Sequence, residues 1–156
     1  VGDVVSRVFR MLVPLEDDRQ IDLTGSWKRG CTVLSMEDDV YQIIFNLVEN
    51  GIKYNQPQGS VHVSLEKTAE DVTISVEDTG FGIPEEALGH IFERFYRVDK
   101  ARSRQAGGSG LGLSIVRELV QRNYGSIGVR SEVGKGTRFM VVFPYFEVEG
   151  ENENAE

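Results

Sequence analysis

The sequence predicts an α+β fold of two layers, a mixed sheet carrying helices on one face. Three observations predict it. Two neighbouring runs alternate, Val61, Val63 and Leu65 against His62, Ser64 and Glu66, then Val72, Ile74 and Val76 against Thr73, Ser75 and Glu77, as a hairpin with one buried face requires. Three other stretches place apolar residues at helical spacing. Two further short strands, 126–131 and 137–144, flank a Gly134-Lys135-Gly136 turn near the end of the chain.

In chain order, Val4, Val5, Val8, Leu12 and Leu15 mark a first packing helix over 1–15, with Pro14 near its end. Strand candidates follow at 21–27 and 31–35, separated by a turn at Arg29 and Gly30. A long helix is expected over 37–55, its apolar face formed by Val40, Ile43, Ile44, Leu47 and Val48. After the hairpin comes a glycine-bearing turn, a short helix over 85–92, and a polar stretch over 97–110. Leu111, Ile115, Val116, Leu119 and Val120 then mark the last helix.

The chain has 156 residues with 40% hydrophobic content, enough for one sizeable core. The expected division is a single domain over 1–146 and an acidic, solvated and disordered tail over 147–156, which holds Glu147, Glu149, Glu151, Glu153 and Glu156. A net charge of −8 argues against nucleic acid as a partner, because phosphate-backbone binding relies on dense Lys and Arg. The one cysteine, Cys31, has no disulfide partner and suits a buried strand position in a reducing compartment. No apolar run reaches the ~20 residues needed to span a bilayer, and 1–10 does not read as a signal peptide. These features predict a soluble, cytoplasmic chain and are compatible with its being cut from a parent anchored in the cell membrane.

Two familiar phosphate-binding motifs are excluded. A Walker loop needs four residues between its first glycine and the Gly-Lys pair, followed by Ser or Thr. Here Gly128 and Gly134-Lys135 are separated by five, and Gly136 follows. The glycines around Gly108 lack both the Rossmann spacing and a preceding parallel strand.

Chemistry concentrates at three places. Asp78 shares the parity of Val72, Ile74 and Val76, so it faces the buried side of the sheet, where a carboxylate needs a partner. It can accept a hydrogen bond from an exocyclic amine such as that of adenine, or cap its own turn through Thr79-Gly80-Phe81-Gly82. Asn46, Asn50 and Lys53 lie on one helical face. Amide oxygens suit Mg²⁺ and a lysine suits phosphate, although a solvated face has the same pattern. Tyr54 beside them can stack on a flat base or fill the core. Third, Gly107-Gly108-Ser109-Gly110-Leu111-Gly112-Leu113 runs into a helix N-terminus, whose unpaired N–H groups attract phosphate. It follows Arg94, Arg97, Lys100, Arg102 and Arg104, set against the single acid Asp99.

Together these segments resemble the catalytic, ATP-binding domain of bacterial sensor histidine kinases, within the gyrase, heat-shock-chaperone, histidine kinase and mismatch-repair ATPase superfamily. The resemblance covers about residues 36–144. It rests on an asparagine box at 46–54, a first glycine box at 78–82, an aromatic box at 92–97 (Phe92-Glu93-Arg94-Phe95-Tyr96-Arg97), a second glycine box at 107–113 and a closing Gly134-Lys135-Gly136-Thr137, all in family order.

The resemblance implies a Bergerat-type ATP-binding fold, with ATP and Mg²⁺ as cofactors. It makes Asn50 the metal ligand, with Asn46 supporting metal and triphosphate. Lys53 and Arg97 would contact phosphates, and with Asn46 would form the catalytic set. Asp78 would read the adenine amine and Tyr54 would pack on the base. Gly80, Gly82, Ile83, Gly108, Gly110, Leu111, Gly112, Leu113 and Thr137 would complete the cofactor-binding set, with Gly110 and Gly112 letting backbone N–H groups reach the phosphates. Residues 97–110 would form a lid over the nucleotide.

Asn46 discriminates among relatives, because hydrolysing members and serine-directed kinases usually carry Glu there. Water or a serine hydroxyl must lose a proton, whereas a neutral imidazole already offers a lone pair. The expected reaction is therefore transfer of the γ-phosphate to a histidine, with an ATP-driven clamp or a non-catalytic pseudokinase as alternatives. His62 and His90 lack the family's His-Glu/Asp-x-x-x-Pro setting. His62 is expected on the outer face of a strand and His90 on a helix surface. The acceptor would belong to the dimerisation domain of the same kinase, with a response regulator acting downstream, in a homodimeric parent whose isolated catalytic domain is monomeric. One departure is Asn123-Tyr124-Gly125, where many relatives carry His-Gly-Gly; it implies an altered turn rather than altered chemistry.

Overall fold

The computed structural model describes residues 1–27, 37–96 and 112–145, with backbone only over 15–19. The expected strand at 31–35, Cys31, the tail over 147–156 and the lid over 97–110 lie outside the described residues. Helix α1 spans Gly2–Arg19, strand β1 Asp22–Ser26, helix α2 Glu37–Lys53, β2 Ser60–Lys67, β3 Asp71–Asp78, helix α3 Gly112–Arg122, β4 Ser126–Glu132 and β5 Gly136–Pro144. The sheet order is β1-β2-β3-β5-β4. Strand β1 runs parallel to β2, and every other pairing is antiparallel. The parallel step needs a crossover, and α2 lies on it. This is the mixed two-layer arrangement that the alternation patterns predict.

The core lies between the sheet and the helices. Val61, Val63, Val72, Ile74, Val76, Val141 and Phe143 come from the sheet; Ile43, Ile44, Leu47, Val48 and Ile52 of α2 cover them, with Val116 and Val120 of α3. Most are completely buried, and each such side chain stabilises the fold by roughly 1.5–3 kcal/mol. Helix α1 adds Val4, Val5, Val8 and Leu12. On the opposite face of β2 and β5, alternate residues are only half-buried, as one-sided packing requires.

Two elements differ from expectation. Helix α1 does not stop near Pro14 but continues to Arg19, with Gln20 in a left-handed conformation (φ 57°) just beyond. Proline removes one backbone bond, yet Leu15, Glu16 and Arg19 are good helix formers and carry the helix past it. The short helix expected over 85–92 is a 3-10 turn at Glu85–Ala87 followed by consecutive turns. Its bonds span three residues, as in Leu88 N–H to the Glu85 carbonyl (3.2 Å) and His90 N–H to Ala87 (2.9 Å). Pro84 offers no side-chain cap and Gly89 is a poor helix former, so a costly α-helical nucleus does not form.

Candidate functional site

The centre of the site is the end of β3. Val72, Ile74 and Val76 are buried and Asp78 follows in the same parity, half-buried. Its Oδ1 accepts the Gly80 backbone N–H at 2.8 Å and the Thr137 N–H at 3.3 Å. Among the described residues, Oδ2 receives no hydrogen bond. Burial pushes the carboxyl up to about 6, outweighing the two backbone hydrogen bonds that favour its charge, and Glu77 adds to the rise. Asp78 thus both caps its turn and presents a spare oxygen, so the two readings of the sequence are combined in one side chain.

The turn after Asp78 is held from both sides. At Gly80 a side chain would collide with the Tyr54 carbonyl, which itself accepts the Phe81 N–H at 3.2 Å. The turn therefore closes directly on the end of α2. Gly82 has φ 76°, a conformation that disfavours side chains. The Ile83 N–H donates to Ser131 Oγ at 2.7 Å, and Ser131 also pairs with the hydroxyl of buried Thr137 at 2.8 Å.

Helix α2 supplies the polar stripe. Asn46, Asn50, Lys53 and the following Tyr54 are all half-buried at the edge of the core. Asn46 accepts a hydrogen bond from Gln42 Nε2 at 3.2 Å and donates from Nδ2 to the Gly112 carbonyl at 3.4 Å. This contact brings the stripe to the first turn of α3, where Gly112 and Leu113 sit. Lys53 Nζ lies 3.5 Å from Glu49, and Gly51 sets α2 against Val61 and the Cβ of Asp78. The structure thus gathers Asn46, Asn50, Lys53, Tyr54, Asp78, Gly80, Gly82, Ile83, Gly112, Leu113 and Thr137 along one border of the sheet and helices. Arg97, Gly108, Gly110 and Leu111 lie outside the described residues.

The donor set fits Mg²⁺. Asn50 carries a hard amide oxygen on the polar face of α2, and its side chain makes no hydrogen bond to the described residues. Among them no group of three or more His, Cys, Asp or Glu could hold a metal. A single protein oxygen with substrate phosphates and water completing the shell is an ordinary Mg²⁺ arrangement.

Within the aromatic box Phe92 packs against the sheet beside α3, while Phe95 is exposed. Phe92 meets Phe139 edge-to-face at 6.3 Å between ring centres, with the Arg117 guanidinium 5.9 Å above its ring. His62 stands half-buried on the outer face of β2, as expected, its Nδ1 2.6 Å from Thr24 Oγ1. His90 is exposed within a turn rather than on a helix and lies 2.6 Å from Glu93 Oε2.

Sequence reasoning missed four polar residues here. Ser131 braces Ile83 and Thr137. Buried Asn55 donates to the Ser60 carbonyl at 3.0 Å, and Thr79 Oγ1 accepts the Ser60 N–H at 2.9 Å, joining the end of α2, the start of β2 and the turn after β3. The fourth is Asp39, buried in the first turn of α2 and paired with Arg122 and Asn123. A hydroxyl beside each glycine turn was the only local signal for any of them.

Residues 35–147 match the family described as histidine kinase-, DNA gyrase B- and HSP90-like ATPase. Sensor histidine kinase RppB of Synechocystis sp. is 37% identical over 149 residues, 95% of this chain and 33% of that protein. Signal transduction histidine-protein kinase ArlS of Staphylococcus aureus is 37% identical over 143 residues, 92% of this chain and 32% of that protein. The chain thus spans about a third of the length of these relatives. Among solved structures, mycobacterial sensor histidine kinase MprB superposes with a TM-score of 0.81 at 27% identity, covering 94% of this chain and 97% of that one. Full-length ShkA in complex with AMPPNP gives 0.81 at 28% identity, covering 96% of this chain and 31% of that one.

Proposed function

Because the chain belongs to the histidine kinase-, DNA gyrase B- and HSP90-like ATPase family, we propose that it binds Mg·ATP and passes the γ-phosphate to a histidine on the dimerisation domain of the same sensor kinase. The observation that carries the nucleotide reading is Asp78, a half-buried carboxylate fixed through one oxygen and, among the described residues, without a hydrogen bond at the other. That oxygen suits the exocyclic amine of adenine. Tyr54, Gly80, Gly82, Ile83 and Thr137 frame the base around it. Asn50 offers the metal an oxygen, while the family resemblance assigns Asn46, Lys53 and Arg97 to the phosphates, together with Gly108, Gly110, Leu111, Gly112 and Leu113 of the second glycine box.

Bound Mg²⁺ would neutralise phosphate charge as it develops during transfer. The protein's part is positional. Asn46 is tied to Gln42 and to the start of α3, so it orients without acting as a base. The nearby carboxylate, Glu49, is engaged by Lys53. Among the described residues Asn46 stands where a carboxylate base would be needed to activate water, and this suits an imidazole acceptor better. The named relatives are sensor kinases, which supports a two-component role with a response regulator downstream. No helix among the described residues is long and apolar enough to cross a membrane. A cytoplasmic catalytic domain in a membrane-anchored, homodimeric parent fits this reading.

The test is an ATP titration with and without Mg²⁺, comparing the unaltered chain with Asn50→Ala and Asp78→Asn. Asn50→Ala should lose the Mg²⁺-dependent part of the affinity, and Asp78→Asn should weaken binding in both conditions. Unchanged affinity in both variants overturns the site. Phosphate transfer from labelled ATP to the added dimerisation domain tests the acceptor; binding without transfer would favour a pseudokinase.

A further inference from the structure

Helix α3 is joined to α2 at both of its own ends, from the middle and from the first turn of α2. At one end Asn46 reaches the Gly112 carbonyl at 3.4 Å. At the other, Arg122 grips Asp39 through two bonds, Nη2 to Oδ1 at 2.6 Å and Nε to Oδ2 at 3.2 Å. Asn123 adds a third, Nδ2 to Asp39 Oδ2 at 2.9 Å, and also donates to the Leu119 carbonyl at 2.8 Å. Between these ends Ile43, Ile44 and Leu47 belong to the same apolar cluster as Val116 and Val120.

Apolar packing alone resists separation better than sliding, because dispersion contacts are non-directional. A two-point guanidinium–carboxylate pair has fixed geometry and does resist sliding. Asp39 is only 6% exposed, so its charge is costly unless all three bonds are kept. It occupies the first turn of α2, and Arg122 the last turn of α3, each at the helix end that favours its sign.

We infer that Asp39, Arg122 and Asn123 form a clamp that sets the axial position of α3, and so the placement of Gly112 and Leu113 beside Asn46. This rests on the nucleotide reading, since α3 begins where the phosphates of ATP would lie. A helix moves as a rod, so a slip at Arg122 is felt ten residues earlier, roughly 15 Å away, at Gly112. The base side is built separately, from β3, β5 and the end of α2. Asp39, Arg122 and Asn123 are positioning residues that touch no part of the nucleotide.

The clamp predicts a selective loss. Arg122→Ala and Asn123→Ala should each weaken Mg·ATP binding about tenfold while leaving adenosine binding within about twofold, and Arg122→Lys should recover part of the loss. Arg122 is 58% exposed, so its removal opens no cavity, but it leaves the Asp39 carboxylate two bonds short and costs stability; a thermal melt establishes that each variant is folded at the titration temperature. Equal losses for ATP and adenosine, or no loss for either, in folded variants would reduce the clamp to a stability element and overturn the inference. If the unaltered chain binds neither ligand, the nucleotide reading falls first and the clamp's role falls with it.

Discussion

Thr137 donates its backbone N–H across the β3–β5 pairing to Asp78 Oδ1 at 3.3 Å, the same oxygen that caps the Gly80 turn. The carboxylate is fixed by two strands and still titrates near pH 6, because burial outweighs those bonds. Its pKa is thus raised from an ordinary 3.8, so between those values the folded state holds a proton that the unfolded chain has released. This group's contribution to stability is full below about pH 4 and is lost as pH rises through 6. Asp78→Asn should therefore raise stability at about pH 7 by about 2 kcal/mol and change it little at about pH 4, as read by urea denaturation. Binding should respond in the opposite sense. ATP affinity of the unaltered chain should fall severalfold between about pH 7 and 5 as the acceptor oxygen protonates, whereas Asp78→Asn should bind weakly throughout.

The parts legible in the sequence were those with a period. Asp78 was identified by the alternation of Val72, Ile74 and Val76, and the Asn46, Asn50, Lys53 stripe by helical spacing. Each needs only its own element. Asp39 lies one position from the expected apolar run at Val40, and nothing local distinguishes it from Asp38 or Glu37. Its partners are 83 and 84 positions away and meet it only once α2 and α3 pack. Ser131 is hidden for a related reason. It shares the parity of half-buried Ile127 and Val129 on an edge strand, and its role comes from register opposite Thr137. The overrun at Pro14 shows a different limit, in which propensity after a proline outweighs the break.

Ser131 provides a direct test of that register. Its hydroxyl serves the Ile83 N–H, the Gly136 carbonyl at 3.0 Å and the Thr137 hydroxyl. Ser131→Ala leaves a half-buried N–H and a buried hydroxyl short of partners. The expected cost is about 1–3 kcal/mol in urea denaturation, with ATP affinity reduced because Ile83 and Thr137 are no longer held. Ser131→Thr keeps the hydroxyl and should retain most of both.

The first glycine box should separate strain from ligand contact. At Gly82 an alanine must adopt φ 76° and collide with the Glu132 carbonyl, so Gly82→Ala should destabilise the fold by about 1–3 kcal/mol. At Gly80 the added methyl meets the Tyr54 carbonyl and lies 2.9 Å from Asp78 Oδ1. Gly80→Ala should therefore displace both residues proposed to hold the base. Calorimetric titration should show a larger loss of ATP affinity for Gly80→Ala than its melting temperature alone explains.

The end of α3 closes at Asn123-Tyr124-Gly125 in a Schellman ending. The Gly125 N–H bonds to the Val120 carbonyl at 2.9 Å, and the Tyr124 N–H to Gln121 at 3.1 Å. That motif requires a left-handed residue at its centre, and Tyr124 adopts φ 63° there while 87% of its side chain is exposed. A tyrosine in this conformation bears a steric cost that glycine avoids, and it recovers little by packing. Tyr124→Gly should therefore stabilise the domain by about 0.5–1 kcal/mol. Tyr124→Val should destabilise it, because β-branching is least tolerated at positive φ. Urea denaturation of the two variants reads the sign of each. A loss of stability in Tyr124→Gly would mean that the exposed ring contributes packing that outweighs its backbone strain.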